Sequence, residues 1–357
     1  MEAQKPTLLS MTMDELRATL EALGQPPFRA AQLFSWLHRG AELSQMSNLP
    51  KALRTALSEG YEDRPMTLHE AFPSRRDETV KFLVACADQN LVESVLMRYH
   101  YGYTLCVSTQ VGCRMGCAFC ASTLNGLVRS LSAGEIIAQI LLANRYLGEK
   151  GRVWQVVLMG SGEPMDNYDS VVRFLRLLSE PDGLNISLRN VSVSTCGLVP
   201  RVRAFAREGL PVTLSISLHA PNDEIRAQLM PVAKRYPMAD LMDAARDYVA
   251  QTGRRVVFEY ALVDGLNSRP EHARMLAALV RGLQCHINLI PLNHVDERDL
   301  RPASRQAVQD FLSALTAAHV SATVRREMGG DISGACGQLR NRHLINEEKA
   351  ATMKPER

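Results

Sequence analysis

Apolar positions recur at intervals of three and four through the first 65 residues, and each run stops at a glycine: "MDELRATLEALG", "FRAAQLFSWLHRG" and "LPKALRTALSEG". That spacing gathers apolar side chains on one face of a helix, and glycine readily ends one. Residues 1–65 therefore read as a small helical domain. Between 66 and 100 the period changes. "MTLHEAF", "TVKFLVACA" and "LVESVLMRY" are apolar-rich and separated by "PSRRDE" and "DQN", which predicts a short antiparallel β extension of three strands.

From residue 101 to 345 strand and helix signals alternate. The predicted strands are "YTLCVST", "VWQVVLMG", "NVSVSTCG", "VTLSISLH", "RVVFEYALV", "CHINLIPL" and "SATVRRE". Between them lie helical runs such as "SAGEIIAQILLANRYLG", opened by a Ser132–Glu135 capping box, and "NYDSVVRFLRLLSE". Parallel neighbours need long crossovers and helices supply them, so repeated β-α units imply an α/β parallel sheet. About six such units favour a partial or full barrel over an open doubly wound sheet. The end, 346–357, is a polar tail, "NEEKAATMKPER".

Apolar content of 46% and charged content of 22% are ordinary for a globular chain. The longest apolar runs, such as "IIAQILLA", fall far short of the roughly 20 residues of a membrane span. The opening "MEAQKPTLLSMTMDELRATL" is acidic and amphipathic, unlike a signal peptide. A cytoplasmic protein is expected, with no membrane partner. In a reducing compartment, clustered cysteines are metal ligands or reactive thiols more often than disulfides. The net charge of +3 permits an RNA partner without demanding one. Basic residues come in pairs, including Arg75 with Arg76 and Arg325 with Arg326. They suit either a solvated surface or phosphate contacts.

Four of the eight cysteines fall within "CVSTQVGCRMGCAFC", Cys106 to Cys120. Cys113, Cys117 and Cys120 stand as C-x3-C-x2-C in the loop after the first strand of the alternating region. Structural zinc sites use four ligands in paired knuckles, and no second C-x2-C or H-x3-H pair is present. Three thiolates on a short loop can instead hold three irons of a [4Fe-4S] cube, leaving the fourth iron for a substrate's amine and carboxylate. An iron so coordinated to S-adenosylmethionine (SAM) can cleave a C–S bond by one-electron transfer.

With Phe119 before its last cysteine and a strand upstream, this motif resembles the radical SAM superfamily. "MGSGEPMDN", "VSTCG", "SISLHAPNDEIR", "NLIPLNHV" and "DISGACGQLR" together resemble the RlmN/Cfr family of RNA methyltransferases, from "FRAAQLFSWLHRG" to "CGQLR". The resemblance implies a radical SAM (β/α)6-type partial barrel with one [4Fe-4S] cluster on Cys113, Cys117 and Cys120. It also implies two SAM molecules per turnover. Gly162 and Glu163 are expected near the SAM amino group. Ser194, Ser217, Leu218, His219 and Asn293, at or after strand ends, are expected to contact SAM.

C2 of adenine is an electron-poor carbon that polar methyl transfer cannot reach. The family's solution, as the resemblance implies, loads a methyl group onto Cys336, converts it to a radical that attacks C2, and so tethers the RNA to the protein. Cys106 would resolve the adduct through a transient disulfide with Cys336, and Glu93 would accept the C2 proton. "DISGACGQLR" has Ser333 and Gly334 where the family pattern reads "DIDAACGQL". Implied partners are 23S rRNA, tRNA and an external electron donor such as flavodoxin or ferredoxin, with the protein a monomer. The N-terminal helices resemble the family's accessory RNA-binding region, although residues 1–65 carry seven basic residues against eight acidic ones.

Duller readings stand beside these. Cys106 lies in an apolar strand, Glu93 alternates with apolar neighbours, and His219 suits a hydrogen-bonded core position. Cys86, Cys196 and Cys285 read as core thiols. The nearest rival function is Cfr-like methylation at adenine C8. A rival of another class is a non-catalytic RNA-binding protein with an Fe–S cluster, which would leave Cys336 without a purpose.

Overall fold

The computed structural model describes residues 5–293, 299–326 and 328–332. Its N-terminal helices are α1 (Met13–Ala22), α2 (Phe28–His38) and α3 (Lys51–Gly60). Thr12 Oγ1 accepts from Glu15 N at 3.2 Å while the Glu15 carboxylate accepts from Thr12 N at 2.8 Å, so two of the orphan donors at the start of α1 are satisfied reciprocally. Next come β1 (Met66–Pro73), β2 (Val80–Cys86), β3 (Leu91–Tyr99) and β4 (Gly102–Cys106). A hairpin of β5 (Gln110–Gly112) and β6 (Leu127–Ser130) brackets the cysteine loop.

The alternating region continues with α4 (Ala133–Leu147), β7 (Val153–Leu158), α5 (Tyr168–Leu178), β8 (Val191–Thr195), α6 (Val199–Arg207) and β9 (Thr213–Ser217). It ends with α7 (Asp223–Leu229), α8 (Met238–Thr252), β10 (Val256–Leu262), α9 (Pro270–Leu279), β11 (Cys285–Pro291), α10 (Arg305–Ala317) and β12 (Ala322–Val324). The Ser132–Glu135 capping box forms as the sequence predicts. Helix α7, inside "SISLHAPNDEIR", has no counterpart in the periodicity. At seven residues it is too short to show one.

One ten-stranded sheet runs in the order β1-β2-β3-β4-β7-β8-β9-β10-β11-β12. From β4 onward every neighbour is parallel, as crossover helices require. The three antiparallel strands are the continuation of this sheet rather than a separate layer, with Val95 of β3 opposite Cys106 of β4. No pairing joins β12 to β1 among the described residues, so the barrel is partial.

The two faces of the curved sheet differ in chemistry. Val191 and Val193 of β8, Leu214 and Ile216 of β9, and Phe258 of β10 are buried in one apolar core with residues of the surrounding helices, among them Phe174, Phe205 and Phe311. Each such side chain contributes about 1.5–3 kcal/mol of burial as an upper value. Many of the alternate positions, which face the lumen, are polar. Ser192 and Ser215 hydroxyls lie 2.9 Å apart, Thr104 donates to Gln155 at 3.3 Å, and Asn288 donates to Glu259 at 2.8 Å. A period of two thus separates a packed outer wall from a polar inner one.

The N-terminal helices dock on the outside of the barrel. Gly134 N, at the start of α4, donates to Ser10 Oγ at 2.9 Å. A Cβ at Gly134 would lie 2.7 Å from Thr7 Cγ2, so glycine permits that approach. Arg173 of α5 pairs with Glu15 at 2.6 Å, and Arg145 of α4 donates to Gly40 O at 2.7 Å. Among the described residues no helix is long and apolar enough to cross a membrane.

Candidate active site

A cavity of about 560 Å³ occupies the lumen. Its upper wall is the loop between β5 and β6, which contributes Cys113, Cys117, Phe119 and Cys120. Cys113 N donates to Gly126 O at 2.9 Å, Ala118 N to Leu229 O at 2.8 Å, and Thr123 Oγ1 to Cys120 O at 2.9 Å. The loop is therefore tied to the hairpin on one side and to α7 on the other. Burial pushes the Cys113 thiol up to about 12, and Cys117 higher still, each with a further push from Cys120. Such thiols give up their protons to a metal rather than to water. Among the described residues no three His, Cys, Asp or Glu side chains gather closely enough to hold a single metal ion.

Across the cavity lies the turn after β7, "GSGEP". Gly162 adopts φ +107, and a Cβ there would sit 2.6 Å from Gln110 Cβ, so no side chain fits. Gln110 Oε1 accepts from Glu163 N at 2.9 Å. The Glu163 carboxylate is buried and accepts from Cys196 N at 2.7 Å and Met165 N at 3.0 Å. Burial raises its pKa and these backbone donors act against that rise. A buried carboxylate held by two amides on a cavity wall suits an ammonium group.

Ser194, Ser217, His219 and Asn293 also line the cavity. His219 is buried with φ +55, an unusual backbone for a non-glycine residue. Asn267 holds this turn, donating to His219 O and Ala261 O at 2.7 Å each. His219 Nδ1 accepts from Ala261 N at 2.9 Å, so the neutral ring carries its proton on Nε2. Burial lowers its pKa to about 3, with help from the Arg226 charge. The ring meets Phe119 edge-on at 4.6 Å, linking the cysteine loop to the end of β9.

Leu218 is the one expected SAM contact whose side chain turns away from the cavity. Its side chain is fully buried in the apolar outer core, because it sits on the opposite parity of the strand end from Ser217 and His219. Cys106 and Glu93 are both buried on neighbouring strands. Cys106 is opposite Val95, which lines the cavity, and Glu93 is two residues before Val95 on the same face of β3. Neither reaches the cavity wall itself. Cys336, Ser333 and Gly334 lie outside the described residues.

Several lining residues escaped the sequence reading, four of them with chemistry or placement that matters. Glu259 is buried on the lumen side of β10; its signal was a lone acid within "VVFEYAL". Cys196, read as a core thiol, lines the cavity beside Glu163. Met328 and Gly330 bring the segment after β12 to the rim, next to Arg325 and Arg326.

A parallel partial barrel with three cysteines on the loop after its first strand, facing an acid-bearing G-E-P turn, defines a radical SAM protein. Residues 107–277 match the family model of the radical SAM superfamily, and residues 7–62 match that of the ribosomal RNA large subunit methyltransferase N-terminal domain. The chain is 48% identical to a probable dual-specificity RNA methyltransferase RlmN of Alkaliphilus oremlandii, over 96% of this chain and 100% of that one. It is 45% identical to the Clostridium tetani protein of the same name, over 96% of this chain and 98% of that one. The crystal structure of a radical SAM methyltransferase from Sphaerobacter thermophilus superposes with a TM-score of 0.90 at 43% identity, covering 93% of this chain and 98% of that one. The chain belongs to the RlmN family of radical SAM methyltransferases.

Membership implies a [4Fe-4S] cluster and SAM. The residues present fit both. The donors are three sulfurs on one loop facing one cavity, the number that holds three corners of a four-iron cube and leaves the fourth for SAM.

Proposed function

We propose that this protein methylates C2 of adenine in 23S rRNA and tRNA, in the cytoplasm, as a monomer supplied with electrons by a flavodoxin- or ferredoxin-like donor. The single observation that carries the reading is the convergence of Cys113, Cys117 and Cys120 with Glu163, Ser194, Ser217 and Asn293 on one cavity. The names of the relatives in other bacteria, dual-specificity RNA methyltransferases, support the substrate class.

In this reading Cys113, Cys117 and Cys120 hold the cluster, and Glu163 receives the ammonium of SAM. When bound, cluster and SAM supply a one-electron cleavage that makes a carbon radical able to take hydrogen from a methyl group. Cys336 carries that methyl group as a thioether. In sequence it follows four residues after Ile332. His219, neutral and fixed in one tautomer, orients Phe119 and the cysteine loop without adding charge. Arg325 and Arg326 at the rim offer phosphate contacts to an adenine entering the lumen.

Once the carbon joins adenine C2 to Cys336, the adduct radical would give up its odd electron, which the cluster, when bound, would accept, and Glu93 takes the C2 proton. The Cys106 thiolate then attacks the Cys336 sulfur. The S–S bond forms, the C–S bond breaks, and its electron pair stays on carbon, which takes a proton to become methyl. The two sulfurs are oxidised to a disulfide as the carbon is reduced, and a thiol reductant resets them.

The test is the mass of the Cys336 peptide from cells expressing wild type and Cys106→Ala. S-methylcysteine in wild type and RNA held on Cys336 in the variant are expected. Unmodified Cys336 with no bound RNA in either protein would overturn the reading. Fragmentation of methyladenosine from digested RNA separates C2 from C8.

A further inference from the structure

Arg226 of α7 is fully buried. A guanidinium taken out of water is stable only where its five donors are met and its charge is balanced. Its Nη2 donates to Cys196 O at 2.7 Å and to Ser217 O at 3.3 Å. Nε and Nη1 are buried without hydrogen-bond partners. The two carboxylates on its own helix, Asp223 and Glu224, are both exposed, and Asp223 accepts from Met238 N at 2.7 Å instead. The protein thus holds a cation in its interior whose balancing anion is not among the carboxylates around it.

The neighbours say what that anion is. The cysteine loop rests on α7 through the Ala118–Leu229 hydrogen bond at 2.8 Å, and Cys117, Cys196, Leu229 and Met230 pack as one cluster. Arg226 stands one turn before Leu229 on α7 and donates to the carbonyl of Cys196, which packs with Cys117, so the guanidinium and the cysteine loop share one buried neighbourhood. The backbone also makes room for the charge. Gly197 adopts φ +97, and a Cβ there would come within 3.2 Å of Arg226 Nη2 and 2.8 Å of Leu241 Cδ1.

We infer that Arg226 is the buried counter-cation of the iron–sulfur centre, a positioning residue that raises the centre's reduction potential. The inference rests on the reading of Cys113, Cys117 and Cys120 as cluster ligands. Three thiolates around a [4Fe-4S]²⁺ core carry one net negative charge, and uptake of one electron from a low-potential donor doubles it. A fixed cation in a medium of low dielectric stabilises the doubly charged form more than the singly charged one. Arginine suits the task because it stays protonated when buried, and its planar fork is held by two carbonyls.

Arg226→Gln, Arg226→Met and Arg226→Lys, reconstituted anaerobically with iron and sulfide, would be titrated with dithionite and followed by EPR without SAM. Neutral variants are expected to bind as much iron as wild type. At the wild-type midpoint their reduced-to-oxidised ratio should fall at least tenfold, a shift of about 59 mV to more negative potential for a one-electron couple. Arg226→Lys should recover most of that shift. Equal midpoints in wild type and iron-replete neutral variants overturn the inference, as does a lysine variant displaced as far as the glutamine one. A wild-type protein that assembles no cluster refutes the underlying reading instead, and iron content identifies that case. Should neither neutral variant fold, Asp223→Asn decides. Loss of the Asp223 charge, on the same helix as Arg226, raises the midpoint if the inference holds, and an unchanged or lower midpoint overturns it.

Discussion

Asp331 accepts hydrogen bonds from Ser74 Oγ and Arg75 N, each at 2.7 Å, across more than 250 residues of chain. Two residues earlier Gly329 N donates to Asp77 at 2.9 Å. The β1–β2 turn and the segment after β12, which lie toward the two free edges of the sheet, are therefore joined by side chains where no strand pairing joins them. That segment leads directly to Cys336.

Breaking this tie should loosen the approach to Cys336 without unfolding the barrel. Asp331→Asn is expected to raise hydrogen exchange at residues 328–332 and to lower S-methyl occupancy of Cys336, with the thermal midpoint nearly unchanged. The Ser74 hydroxyl and Arg75 amide hold the Asp331 carboxyl below its usual pKa. A depressed carboxyl keeps its contribution above the unfolded value and loses it as pH falls through the folded one. Protection of this segment should therefore persist from pH 8 down to the ordinary carboxylate range, about 4, and disappear only below it.

Gly162→Ala should damage the site and the fold together. The new Cβ would meet Gln110 at 2.6 Å in a backbone region alanine avoids. A loss of about 1–3 kcal/mol in urea unfolding is expected, and SAM binding should weaken at least tenfold by anaerobic calorimetry.

Leu218→Ala separates core from site. Because Leu218 is fully buried in the outer core, its truncation should cost about 2–5 kcal/mol of stability. SAM affinity of the folded fraction should stay within twofold of wild type. A large loss of SAM affinity at unchanged stability would put Leu218 back in the binding site.

Cys196 tests how many sulfurs the cluster uses. It shares a wall with Cys117 and Glu163, yet it sits on the opposite loop. Cys196→Ser is expected to keep wild-type iron content, and Cys117→Ser to lose most of it, by colorimetric iron and sulfide analysis.

His38 makes the N-terminal domain sensitive to acid. It is buried, stacked on Phe34 at 4.1 Å, and its Nδ1 has no hydrogen-bond partner. Burial lowers its pKa to about 4. The unfolded chain binds a proton near pH 6.5 and the folded one does not, so stability is complete above 6.5 and falls as pH drops toward 4. The slope from this residue is about 1.4 kcal/mol per pH unit. His38→Gln should flatten that part of the urea-derived stability profile.

Local signals carried far into the architecture. The glycine-terminated helical runs became α1 to α3, and the seven strands of the alternating region all formed, because each rests on a periodicity that one element satisfies alone. The capping boxes at Thr12 and Ser132 are local for the same reason. What periodicity could not supply was pairing across the chain. That β1 to β3 continue the barrel sheet depends on β3 and β4 sharing register, and nothing in either strand specifies its neighbour.

The site divides in the same way. Cys113, Cys117 and Cys120 are recognisable from the sequence because their spacing is their chemistry: one short loop must hold them whatever surrounds it, while the Gly162–Glu163 turn is recognisable by its resemblance to a family motif. The burial of the Leu218 side chain was not legible, because lumen and core alternate residue by residue and only packing decides which parity faces inward. Glu259, Cys196 and Arg226 come from three separate β-α units and are ordinary in their own segments. The sequence by itself determined most of the elements and the close spacing of the three loop cysteines. Only the tertiary structure decided which charges are left buried beside those donors, because the cost of a buried charge depends on neighbours that the chain brings together from far apart.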